Sequence, residues 1–371
     1  MTPDPSPPAS ARDWRRCWSY LAARLPRQPA TTPAPPPPPQ ALDPPALLPL
    51  FARRLTRFTG AALTFDLLGP ACGLSATAVR QSRLLNRYSR TRQKQCLAVI
   101  NAAGLDAVAI KGFALAHQIY QDPDLRITGD LDLVVRPDDV AALLRLLRDE
   151  GYAFRPLPGK PWGFISEASF QPLASPDGAV NLDIHVAPDC YPADRALTTE
   201  RLFAQARAFD PDLPRIKLAS LSHGYFLLAS NAAKDKFGPF AVKKALDALR
   251  LRAGWRARLA QREIDLLAQT GQLRGPNEVF HALLAWLEGQ ADPPALSGHW
   301  RQQEYGRLQR EWATLFTDQD RPPPGAWPQL RREYLLCTEK TVFLANNLKR
   351  LKGLLRPRSG MPDERNSPPS V

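Results

Sequence analysis

Long apolar runs are missing from this 371-residue chain. No stretch approaches the roughly eighteen apolar residues that a membrane-spanning helix needs. Cysteine is scarce as well. Cys17, Cys72, Cys96, Cys190 and Cys337 are odd in number and far apart, which suits neither a disulfide framework nor a CxxC zinc site. The five histidines form no HExxH pair or other ligand pair at helical spacing. The opening "MTPDPSPPASARDWRRCW" has no apolar segment behind a basic end, so it does not read as a secretory leader. Together these absences argue against a membrane span, a disulfide scaffold and a zinc module, and make reduced thiols in the cytoplasm the expectation.

Proline and positive charge are in excess. Much of the proline (39 residues) falls in the first fifty positions, including the run Pro35 to Pro39. Such a run forms extended polyproline without internal hydrogen bonds, so residues 1–45 are expected to be a disordered arm. Within it, Asp13 to Arg27 allows a turn or two of basic amphipathic helix. This is read as a frayed tail, with a contact to a partner or a membrane surface as the alternative. The net charge of +13 fits a polyanionic partner, with RNA as one candidate, or an arginine-rich background composition. The basic residues are dispersed, so both readings stay open.

From Ala46 the texture becomes helical. In "SATAVRQSRLLNRYSRTRQKQCLAVINAAG", Val79, Leu84, Leu85, Tyr88, Cys96, Leu97 and Ile100 can share one broad face. Then come a short strand candidate in "DAVAIKG", a short helix in "FALAHQIY", turn chemistry in "QDPDLRITG" and an alternating strand in "DLDLVV". "RPDDVAALLRLLRDEGYAF" reads as a helix ended by Gly151, and "AVNLDIHVAP" as another strand. Beyond Leu197 the pattern is helical. The expectation is an α+β protein with a small mixed β-sheet flanked by helices and a helical C-terminal half. Its parts would be an N-terminal helical region at 46–105, an αβ unit at 106–215, a helical domain at 216–357 and a disordered tail at 358–371.

Asp130 and Asp132, two apart on a strand, point to the same face. Like charges that close repel unless a cation lies between them, and hard oxygen ligands of this kind suit Mg²⁺, or Mn²⁺. Asp183, from a second strand, is a third candidate metal ligand and catalytic carboxylate. Three such groups can serve an acceptor oxygen and a leaving pyrophosphate. Lys111-Gly112 stands at a strand-to-helix turn, where glycine admits a close backbone approach and free N–H groups suit phosphate. Arg126 is a candidate for a phosphate or for a structural carboxylate. Each element has a plainer reading. A lone DxD is commonly a solvated strand end, Asp183 an exposed strand residue and His185 a satisfied core histidine.

The order carries more than the pieces. "AIKGFALAHQIY", Arg126, "GDLDLVV", "LLRDEGY" and "LDIHV" resemble in sequence the bacterial uncharacterised nucleotidyltransferase family. "SHGYFLLASNAAKDKFGPFAVKKALDAL" is similar to its C-terminal helical pair, and the likeness extends over about residues 46 to 290. The resemblance implies a DNA-polymerase-β-like nucleotidyltransferase palm. Asp130 and Asp132 would be metal ligands, and Asp183 a ligand or the general base. Lys111, Gly112, Arg126, Gly129 and Lys234 would be nucleotide-contacting positions. The implied reaction moves a nucleoside monophosphate from an NTP to a peptide, small-molecule or RNA acceptor and releases pyrophosphate. The alternatives are a toxin-like transferase acting on tRNA or protein, and an inactive nucleotide- or partner-binding module. Two departures stand out. Lys-Gly replaces the superfamily's Gly-Ser turn, and Asn231 and Asp235, beside Lys234 and Lys236, stand where relatives carry histidines. Asp247 is expected to pack helices rather than to catalyse.

Overall fold

The structure is a computed structural model describing residues 11–25, 43–155, 169–188, 196–254, 259–269, 273–290, 296–315, 326–337 and 340–355. The polyproline run and the tail at 358–371 lie outside them. Three helices come first: α1 (Ala11–Ala23), α2 (Leu48–Leu68) and α3 (Ala76–Ala102). The αβ unit follows with β1 (Ala107–Ala109), α4 (Lys111–Ile119), β2 (Leu131–Val134), α5 (Val140–Asp149), β3 (Ala153–Phe154), β4 (Leu173–Ala174) and β5 (Asn181–His185). Next are α6 (Thr199–Gln205), β6 (Arg207–Ala208) and β7 (Ile216–Leu218). The rest is helical: α7 (Leu221–Lys234), α8 (Val242–Gly254), α9 (Gln261–Gln269), α10 (Arg274–Leu287), α11 (His299–Ala313), α12 (Ala326–Arg332) and α13 (Lys340–Leu355).

The α+β expectation holds. The strands form one mixed sheet ordered β3-β4-β5-β2-β1-β7-β6. β1 runs antiparallel to β2 and parallel to β7, and β2 runs parallel to β5. Strand alternation then sorts side chains by face. Leu131, Leu133, Leu182 and Ile184 enter the core beneath α3 and α5. Val134 faces the opposite side, in a smaller cluster with Phe226 and Leu227 of α7. Asp132 and Asp183, out of phase with those leucines, lie on the α7 side. β6 and β7 come after Leu197, so that stretch is not wholly helical as expected. Strands of two or three residues are too short to show an alternating pattern.

α3 also departs from its expected face. Leu84, Leu85 and Tyr88 are 61%, 70% and 56% exposed, while Asn86, Arg90 and Gln93 are buried. The reason is polar. Asn86 Nδ2 donates to the Asp124 carbonyl at 2.8 Å and Arg90 Nη2 to the Arg126 carbonyl at 3.1 Å, clamping the loop that leads into β2.

The arm expected at residues 1–45 is helical in part. Ala11–Ala23 is neither disordered nor a frayed tail, but a helix docked on α2, α10 and α11. Trp14, Cys17, Trp18 and Leu21, at i, i+3, i+4 and i+7, make a buried stripe. The Trp18 ring meets Phe51 edge-on at 5.2 Å, and its Nε1 donates to the Trp312 carbonyl at 3.0 Å. Replacing Trp18 by Ala is therefore expected to lower unfolding free energy by about 3–5 kcal/mol. Denaturant titration checks this: a change of a few tenths would show that α1 is peripheral.

Candidate active site

Sheet register builds the acidic wall. Asp132 of β2 is directly paired with Asp183 of β5, and Val134 with His185. Neighbouring parallel strands thus place Asp132, Asp183 and His185 side by side, with one ligand atom from each lying within 4.8 Å of the others. His185 Nε2 is 3.0 Å from Asp132 Oδ1. Asp130 precedes β2, before the strand pairing begins, and stands exposed at the rim outside that group.

The electrostatics separate the two paired carboxylates. Burial alone would raise the Asp132 pKa, but the Lys111 ammonium and the His185 hydrogen bond outweigh it and hold Asp132 well below the ordinary carboxylate range. Burial, then the nearby Asp132 charge, pushes Asp183 up to about 6. Burial followed by Lys111 brings His185 down to about 4, so the imidazole is neutral near pH 7. Asp183 Oδ1 and His185 Nδ1 are buried without a hydrogen-bond partner. Such atoms are costly to leave unmatched. Two carboxylates and a neutral imidazole, with one orphaned oxygen among them, fit a divalent cation.

Lys111 is the first residue of α4 and has a left-handed backbone, φ 53°. That conformation costs about 1–3 kcal/mol in a residue with a Cβ. It turns the ammonium onto Asp132 Oδ1 at 2.5 Å, with His185 Nε2 at 3.4 Å. Gly112 has a different reason from the expected approach of phosphate. A Cβ there would stand 2.8 Å from Arg126 Nη1. Arg126 cannot swing away. It is buried, its Nε reaches the Asp247 oxygens at 2.9 and 3.1 Å, and its Nη2 reaches Oδ2 at 2.5 Å. Asp247, fully buried on α8, also accepts from the Tyr120 hydroxyl at 2.7 Å. Of the two partners expected for Arg126, the structural carboxylate is the one present, and Asp247 packs helices as expected.

The wall opposite the carboxylates comes from α7 and α8. A cleft of about 230 Å³ is bordered by Lys111, Gly112, Arg126, Gly129, Asp130, Asp132 and Asp183 on the sheet side. Asn231, Lys234, Asp235, Lys243 and Lys244 border it on the helical side. Lys244 pairs with Asp235. Sequence reasoning passed over His185 as a site residue, as well as Lys243 and Lys244. The DxH spacing could have flagged the first. The two lysines look like any solvated start of a helix.

The sheet thus carries paired carboxylates toward a helical wall that supplies cations. A family model described as "Uncharacterised nucleotidyltransferase" matches residues 47–287, and the chain belongs to that family. The chain has no match among the curated proteins or the solved structures.

The Arg126–Asp247 pair yields a stability test. Removing the carboxylate with Asp247→Ala strands a buried guanidinium and is expected to cost about 3–5 kcal/mol. Arg126→Met with Asp247→Leu, which removes both charges, should recover most of that loss in denaturant titrations. A double variant as unstable as the single one would show that packing rather than charge holds the two elements.

Proposed function

We propose that this protein is a Mg²⁺-dependent nucleotidyltransferase that moves a nucleoside monophosphate from an NTP to an acceptor hydroxyl. The observation that carries the reading is the side-by-side pairing of Asp132 and Asp183 across a cleft from Lys234, Lys243 and Lys244. Asp132 and Asp183 would hold the metal, with Asp130 at the rim. When bound there, the ion would supply Lewis-acid polarisation of phosphate oxygens and would offset charge on the leaving pyrophosphate. The chain's own groups divide the remaining work. Asp183, beside Asp132, would take the proton of the acceptor hydroxyl as the acceptor oxygen bonds to the α-phosphorus and the bond to the bridging oxygen breaks, that oxygen leaving with the pyrophosphate. His185, whose Nε2–H donates to the ionised Asp132 carboxylate, fixes that carboxylate's orientation. The lysines opposite offset the charge of the phosphates.

A second reading, a nucleotide-binding module without turnover, draws on the Lys111–Asp132 contact, which puts an ammonium where a metal would touch that carboxylate. Incubation with labelled ATP, CTP, GTP and UTP, Mg²⁺ and cell extract separates the two. Transfer of label to an acceptor, reduced at least about a hundredfold by Asp132→Asn, is expected for the enzyme. NTP binding by calorimetry with no transfer from any nucleotide would establish the module instead. Full transfer by the Asp132→Asn protein would remove the metal assignment.

A further inference from the structure

Of the three cations expected to contact the nucleotide, Lys111, Arg126 and Lys234, the first two are already engaged by carboxylates. Lys111 is on Asp132 and Arg126 is on Asp247. Lys244 is likewise paired with Asp235. Lys243 differs. It borders the same cleft, is half-buried, and among the described residues has no carboxylate within ion-pair distance. Among the described residues its ammonium donates to the Ile127 carbonyl, at 3.5 Å. Burial and then Arg126 pull its pKa down to about 8. Asp247 and Asp130 act on this half-buried cation only from beyond ion-pair distance, so a ligand charge placed against it would gain more than at the paired lysines.

The backbone around it is held against strain. Lys236 and Phe237, at the turn from α7 to α8, both have left-handed backbones, φ 55° and 51°. Phe237 is fully buried, and its carbonyl accepts from Trp312 Nε1 at 2.8 Å. Strain kept in place by packing beside a cleft is a mark of a functional turn. Here the turn fixes where α8 begins, and Lys243 is its second residue.

We infer that Lys243 is the residue that binds the polyphosphate arm of the nucleotide, its missing counter-ion being supplied by a phosphate oxygen. The inference rests on the nucleotidyltransferase reading and adds to it. In this chain the triphosphate is held from the helical wall, where the lysine takes over the role of the absent serine turn. It also gives selectivity: a nucleoside triphosphate or inorganic tripolyphosphate matches the lysine, and a nucleoside does not.

The test uses the full chain, calorimetry with inorganic tripolyphosphate and with each NTP, and the variants Lys243→Met and Lys243→Arg. Wild type should bind tripolyphosphate. Lys243→Met should weaken that binding about tenfold or more, and Lys243→Arg should restore it to within a few-fold. In the transfer assay Lys243→Met should raise KM for the NTP more than it lowers kcat. Because the substitution removes an unmatched cation, the free variant should melt no lower than wild type, which confirms that it folds. Wild type without affinity for tripolyphosphate, or a folded Lys243→Met protein with unchanged affinity, overturns the inference. Lys243-dependent tripolyphosphate binding without any nucleotide transfer supports the phosphate site while sinking the transferase reading. Asp132-dependent transfer with an unchanged NTP KM in Lys243→Met does the reverse.

Discussion

The guanidinium–carboxylate pair of Arg126 and Asp247 is the contact on which the cleft depends. It joins the loop before β2 to α8, across 121 residues of sequence, and it is buried on both sides. A buried pair of this kind has little freedom, because any departure from its geometry leaves a charge unmatched in a poor solvent. Everything nearby is arranged around its fixed position. Glycine is required at 112 because Nη1 lies over that backbone. Lys111, next to it, enters α4 in a left-handed conformation and turns onto Asp132. The Tyr120 hydroxyl completes the coordination of Asp247. The distance between the acidic sheet and the lysine-bearing helices is thereby set by an ion pair that does not itself need to touch substrate.

A second brace holds the other wall, and it comes from outside the family match at 47–287. Trp18 of α1 donates to the carbonyl of Trp312 on α11, and Trp312 donates to the carbonyl of Phe237 in the strained α7–α8 turn. Each indole thus gives its single N–H to a buried carbonyl while its ring fills the core. The relay runs from the N-terminal helix to the residues just before Lys243. The flanking segments of this chain therefore act on the site through packing. α1 contributes to the position of a cleft that none of its residues borders.

The legible part of the site was local. "DLDLVV" and "LDIHV" show their alternation directly, and β2 and β5 put their leucines in the core and Asp132 and Asp183 on the other face. The register that sets Asp132 beside Asp183 was not legible, since parallel pairing leaves no mark in either strand. Nor was the partner of Arg126, because an isolated arginine attracts phosphate and carboxylate equally well. The α1 stripe of Trp14, Cys17, Trp18 and Leu21 was present in the sequence. Its proline-rich surroundings gave no hint that α2 and α11 would cover it. On α3 the error ran the other way. Leu84, Leu85 and Tyr88 have core spacing, but the helix uses Asn86, Arg90 and Gln93 to bind a polar loop, and a pattern of apolar positions cannot report that.

The same helix shows how much basic charge is matched inside the molecule. α3 carries a dense set of cations, yet Arg83 pairs with Asp122, Arg87 and Arg90 with Asp124, Arg92 with Asp177 and Lys94 with Asp210. Most of its positive charge is thus spent inside the molecule, tying the helix to loops of the αβ unit. The most conspicuous basic segment is not thereby a surface for polyanions. What distinguishes a binding cation is the absence of an internal partner together with partial removal from water, since only then does an incoming anion gain more than solvent already provides. That criterion points to one lysine at the head of α8, facing two paired aspartates.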